Sequence, residues 1–162
     1  MRKLILLAAS IFSFALLASC RREADDFKPE TIIGLERGAL DRWGKGDPQG
    51  YIELFAPEVT YFDPFQERRV DGISAMTDLL LPITCKIKID RYDMLNPVAQ
   101  HYGDIALLTF NLISYGKTPD GAENVLARWN STEVYKHTEA GWKIIHSHWS
   151  LTKPELRNAE VA

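Results

Sequence analysis

Two cysteines, Cys20 and Cys85, are all that this 162-residue chain carries, so it has no Cys-x-x-Cys metal pair and at most one disulfide. It lacks a Gly-x-Ser-x-Gly elbow and a phosphate-binding glycine loop, which sets aside the hydrolases and nucleotide enzymes built on those motifs. An excess of one charge is missing too. The 19 Lys and Arg stand against 22 Asp and Glu for a net charge of -3, and the signs are mixed apart from Arg21-Arg22 and Arg68-Arg69. Without a basic stripe to neutralise phosphates, nucleic acid is not an expected partner. Repeats and low-complexity tracts are absent. The apolar stretch near the start, Leu4 to Leu17, carries no charge and is too short for a comfortable membrane span.

That run has the length of a signal-peptide apolar region, and Arg2 and Lys3 supply the basic start before it. It ends in Leu17-Ala18-Ser19-Cys20, which resembles the lipobox of bacterial lipoproteins. The resemblance implies a signal peptide over 1–19, cleavage before Cys20, and lipid on that cysteine. Several acyl chains on one residue would anchor stably. An ordinary secretory signal with a chance cysteine is the plainer alternative. The expected location is the bacterial cell envelope, lipid-anchored outside the cytoplasm, with 20–28 as a polar tether. Cys85 is then left alone, read as a small buried apolar residue, and the domain must be held by its core.

From Pro29 the pattern is helical: Ile32, Ile33, Leu35, Leu40 and Trp43 fall near a 3.6 period until Gly44-Lys45-Gly46-Asp47 breaks it. Asp47 and Pro48 read as the cap and first position of a second helix, carrying Tyr51, Ile52, Leu54 and Phe55 and ended by Pro57. Val59 to Asp63 reads as a strand. A third helix opens at Asp71 or Gly72 and ends before Pro82. Extended segments follow within 83–95, 101–115, 125–137 and 142–151, and 153–162 reads as a polar tail. Helices followed by an antiparallel meander indicate an α+β domain over 29–152, its curved sheet wrapped around the N-terminal helices as an open cone.

Three pieces carry a family resemblance: the helix end Trp43-Gly44-Lys45-Gly46-Asp47, the strand Val59-Thr60-Tyr61-Phe62-Asp63-Pro64, and Gly141-Trp142-Lys143-Ile144-Ile145-His146-Ser147-His148-Trp149-Ser150. Together they resemble the nuclear transport factor 2-like superfamily, specifically SnoaL-like proteins and the association domain of calcium/calmodulin-dependent protein kinase II. The resemblance implies a cone-shaped α+β fold, a deep pocket at its wide end, and a homodimer through the outer sheet face. It leaves function open, because the fold hosts isomerases, cyclases, hydrolases and non-catalytic modules.

Candidate site residues carry competing readings. Asp63 is a pocket-mouth carboxylate or a turn residue before Pro64, with Tyr61 beside it as an oxyanion donor or a core tyrosine with a wet tip. His146 and His148, at i and i+2, are expected to share a face with Ile144 and Trp142. They read as acid/base groups, ligand donors or satisfied structural histidines. A metal would need a third ligand, such as Asp63 or Glu133, and none stands at a diagnostic spacing, so no metal and no cofactor are expected. Glu133, in Trp129-x-Ser131-x-Glu133-x-Tyr135, is either a buried acid with a raised pKa or half of an outer salt bridge, with Arg128 and Asn130 on the opposite parity. Thr109 and Asn111 suggest a polar spot within a cavity or a bulge. Trp43 and Trp149 wall an apolar ligand, or serve core and dimer interface. His101 and His137 read as surface. The functions in view are binding of a small apolar or amphipathic ligand, cofactor-free isomerase, cyclase or hydrolase chemistry on Asp63, Glu133 and His146, and assembly.

Overall fold

A computed structural model describes residues 27–152. The signal segment, Cys20 and the 153–162 tail lie outside the described residues. Pro29 opens α1 (Pro29–Trp43), where a missing N–H costs nothing and Glu30 complements the helix dipole. The buried stripe of α1 is Ile32, Glu36, Ala39 and Leu40, a spacing that places all four on one face. One member of that stripe is a glutamate. The Asp47 carboxylate accepts the Gln49 N–H at 3.0 Å and opens α2 (Gln49–Ile52). Phe27, expected in a polar tether, instead stacks on His101 at 4.3 Å.

β1 (Phe55–Phe62) begins earlier than helical spacing suggests, because Phe55 pairs with Ile144 and sheet pairing overrides local periodicity. β2 (Val70–Asp71), α3 (Ile73–Leu80) and a 3-10 turn (Leu81–Ile83) follow. Cys85 is not a buried strand residue: it is exposed, at φ 62°, and its N–H donates to the Gly46 carbonyl at 2.8 Å. Residues 84–90 are strapped to the α1–α2 turn rather than paired in the sheet, with Ile89 N–H donating to Gly44 O at 2.9 Å.

The remaining chain forms β3 (Arg91–Tyr102), β4 (Ile105–Lys117), β5 (Glu123–Thr138) and β6 (Gly141–Leu151). His101 belongs to β3, not to the strand after it, since a bulge at Asn96-Pro97 lets β3 continue and the turn comes at Gly103, φ 68°. The six-stranded sheet has the order β2-β1-β6-β5-β4-β3 and is curved and unclosed. It is antiparallel except for β1 against β6, which run parallel. Ile32, Leu40, Val59, Met76, Leu108, Tyr135 and Ile144 fill the space between its concave face and the helices.

Candidate functional site

Alternation along β5 settles the face of Glu133. Ser131, Glu133 and Tyr135 are buried against the helices, and the intervening residues look outward. On β6, Ser147 lies opposite Glu133 and Trp149 opposite Ser131. The Ser131 and Ser147 hydroxyls both donate to Glu133 Oε1, at 2.9 and 3.0 Å. Glu133 Oε2 is buried with no hydrogen-bond partner. The Trp149 side chain favours the charged form from nearby without meeting hydrogen-bond geometry to that oxygen.

A second acid lies behind it. Glu36, fully buried on α1, accepts the Tyr51 hydroxyl at 2.7 Å and the Tyr135 hydroxyl at 2.6 Å. Neither carboxyl has a basic partner among the described residues. Burial pushes both pKa values up, and the Glu36 charge raises Glu133 further. Short bonds from two phenols favour a charged Glu36. Of the pair, Glu133 holds its proton the more strongly, because the Glu36 charge adds to the effect of burial. Burial also lifts Tyr51, Tyr61 and Tyr135 well above the ordinary tyrosine range.

The way out to solvent is aromatic. Trp149 packs edge-on against Phe110 and Trp129, and Trp129 against Phe65, which is 71% exposed. Tyr61, opposite Ser147 on β1, donates its hydroxyl to Asp63 Oδ2 at 2.9 Å, while Asp63 Oδ1 accepts the Phe65 N–H at 2.7 Å. Asp63 thus makes the turn and holds Tyr61 at the rim. Glu133 itself is sealed, at 0% exposure. Two open grooves, of about 740 and 500 Å³, lie instead at the α1–β3 edge, beside Tyr92 and Cys85 respectively, and neither is lined by Asp63, Glu133 or His146.

His146 and His148 share a face, but not with Ile144. Tyr135 pairs with Ile144 and Val134 with His146, so Ile145 is an extra residue in a bulge. Continuing the first register would have set His146 opposite Glu133. The bulge turns both imidazoles to the convex side and brings Ser147 and Trp149 inward. Thr109 and Asn111 also lie on the convex face, opposite in parity to buried Leu108 and Phe110, and the Asn111 amide donates to Asn130 Oδ1 at 2.7 Å. Trp43 packs edge-on against Tyr51 at the end of α1. The structure therefore places Tyr61, Glu133 and Trp149 together on the concave side, with Asp63 bonded to Tyr61, and sets His146, His148, Thr109, Asn111 and Trp43 apart from them. His137 is exposed against Trp142, whereas His101 is half-buried between Phe27 and Trp142.

Sequence reasoning passed over Glu36, Ser131 and Ser147 as site residues. Glu36 had a signal, since it is four residues after Ile32 and four before Leu40, within the apolar stripe. Ser131 shares the parity of Glu133. Ser147 had none, because its inward position depends on the bulge.

Among solved structures, a protein from Parabacteroides distasonis provisionally named a ketosteroid isomerase is 38% identical, with a TM-score of 0.68 over 81% of this chain and 92% of its own. The S. rosetta calcium/calmodulin-dependent protein kinase II hub (22% identity, TM-score 0.62, 76% and 95% covered) shares the fold. So does a nuclear transport factor 2-like superfamily protein of Salmonella enterica serovar Typhimurium (22%, 0.60, 78% and 92%). No curated protein matches the chain. The family model for the SnoaL-like domain matches residues 39–154, which spans the α1 end, Glu133 with its serine partners and all six strands, and the chain belongs to that SnoaL-like family.

Proposed function

We propose that this chain is a lipid-anchored envelope protein whose concave sheet face, around Glu133 and Trp149, opens to bind a small apolar or amphipathic molecule bearing a hydrogen-bond-accepting oxygen. The observation that carries this reading is Glu133 Oε2, fully buried and unpartnered. With its proton retained, that oxygen is a donor lacking an acceptor, an expensive arrangement that a carbonyl oxygen relieves. The aromatic rings of Trp129, Trp149 and Phe110 offer apolar walls. Entry requires the Trp149 and Trp129 rings to swing aside, because Glu133 is fully buried. Anchoring rests on the lipobox-like Leu17-Ala18-Ser19-Cys20.

Cofactor-free isomerisation is the second reading, favoured by the 38% identical relative provisionally named a ketosteroid isomerase. In that chemistry an α-proton passes to the Asp63 carboxylate while the Glu133 O–H donates to the substrate carbonyl oxygen. The enol then takes the proton back at the far carbon and returns the other to Glu133.

Both readings are tested with one β,γ-unsaturated ketosteroid. Binding is followed by tryptophan fluorescence, and turnover by the absorbance of the conjugated enone. Binding is expected to change the emission of Trp129 and Trp149, and Glu133→Gln to lower turnover by about 100-fold or more. Binding without turnover in the wild type leaves the first reading and removes the second. No fluorescence change with this ketone or with simpler apolar ketones removes both.

A further inference from the structure

The two histidines that the bulge expels from the concave side share the convex face with little to do there. His146 and His148 point the same way from β6, and both rings lean on Phe62 of the neighbouring strand, with centroids 6.1 and 5.8 Å away. Alternate strand residues share a face, so both imidazoles stand on the same side of the sheet, next to one phenyl ring. His148 is exposed and His146 half-buried.

The orientation of the His146 ring is set by Thr60. Thr60 Oγ1 donates to the Ile145 carbonyl at 3.4 Å and lies 2.8 Å from His146 Nδ1. The contact occupies Nδ1 and leaves Nε2, on the other side of the ring, as the nitrogen open to a ligand. A hydroxyl that holds one ring nitrogen and so orients the other is the usual support of a metal-binding histidine. The Arg69 side chain lies near the His146 ring. Arg69 is itself tied to Asp71 at 2.5 Å.

We propose that His146 and His148 form a surface site for one borderline divalent transition ion, Zn²⁺, Ni²⁺ or Cu²⁺, bound through two imidazole nitrogens with water in the remaining positions. Imidazole selects these ions over Mg²⁺ or Ca²⁺. Among the described residues no group of three or more His, Cys, Asp or Glu is placed to hold an ion, so affinity is micromolar rather than that of a closed structural site. The pair lies on the β1 side of the sheet, away from the exposed Leu95, Val98 and Tyr102 of β3.

The test is calorimetric titration of Ni²⁺ into the untagged full chain in non-ionic detergent, with thermal unfolding recorded for every variant. One ion per chain is expected, with affinity reduced on the order of tenfold or more by His146→Gln or His148→Gln and less by Thr60→Val. His137→Gln, on the far side of the sheet end, leaves binding unchanged. Absence of binding below about 1 mM, where an ion would gain only about 4 kcal/mol, overturns the proposal. So does unchanged binding in the folded His146→Gln/His148→Gln double variant.

Discussion

At the scale of single residues, the two buried acids dominate what can be measured. Tyr135→Phe removes a 2.6 Å hydrogen bond to a fully buried carboxylate and leaves Glu36 with Tyr51 alone. A loss of about 1–3 kcal/mol in urea denaturation is expected. Glu133 has a folded pKa well above its unfolded value, so above about pH 4.3 the folded state holds a proton that the unfolded chain releases. Its stabilising contribution is complete below that pH and is lost as pH rises toward the folded pKa. Glu133→Gln, which cannot titrate, is expected to flatten the fall in stability between about pH 4.3 and neutrality. An equally steep fall in the variant would assign it to other groups. The sequence made Glu133 a candidate but left its face open, because Trp129 and Tyr135 argued for one parity and nothing local excluded the other. Glu36 escaped notice for a different reason. Its partners stand 15 and 99 residues away, and a helical glutamate reads as a good helix former on a wet face.

Among elements, helix and strand order was readable, and what was lost lies at the places where the chain changes register. The break after α1 was visible as Gly44-Lys45-Gly46-Asp47, but its packing was not. Gly46 has φ 79°, and a Cβ there would lie 2.9 Å from Cys85 Cα and 3.0 Å from Ile87 O. Gly121 has φ 86° with nothing within 4 Å of the same added atom. Alanine at either position bears the left-handed penalty of about 1–2 kcal/mol. Gly46→Ala adds a backbone clash with the 84–90 strap, so it is expected to lower Tm more than Gly121→Ala. Equal effects would show that the strap yields freely. The bulge at Ile145 had no such signature: Ile144-Ile145-His146 reads as uninterrupted strand, and only pairing with Val134 and Tyr135 reveals the extra residue. That one residue decides whether histidine or serine meets Glu133, which is why the histidines looked like pocket residues.

For the whole molecule, the convex face poses a problem that the concave face does not. An antiparallel sheet with one face in water ordinarily alternates to polar residues on that side. Here Leu95, Val98 and Tyr102 are exposed on β3, the tyrosine at 62%, with Leu107, Ile113 and Val134 half-buried on the adjacent strands and same parity. Asn111, Asn130 and Ser150 cross the face as a polar row that supplies register without charge. A second copy is the occupant we propose for these exposed apolar residues, because an isologous contact needs only one self-complementary patch. The oligomeric hub among the structural neighbours shares the fold alone, so the argument rests on the patch. Native mass spectrometry of the full chain in detergent is expected to show a dimer. Val98→Lys places a charge at the patch, where two copies bring like charges together, and should raise the dimer Kd about thirtyfold, near 2 kcal/mol. Glu133 and Trp149 face the opposite side of the sheet, so ketone binding should survive in that variant. A wild-type chain that stays monomeric at tens of micromolar would leave the patch to another partner, and a Val98→Lys dimer as tight as the wild type would move the interface off this face.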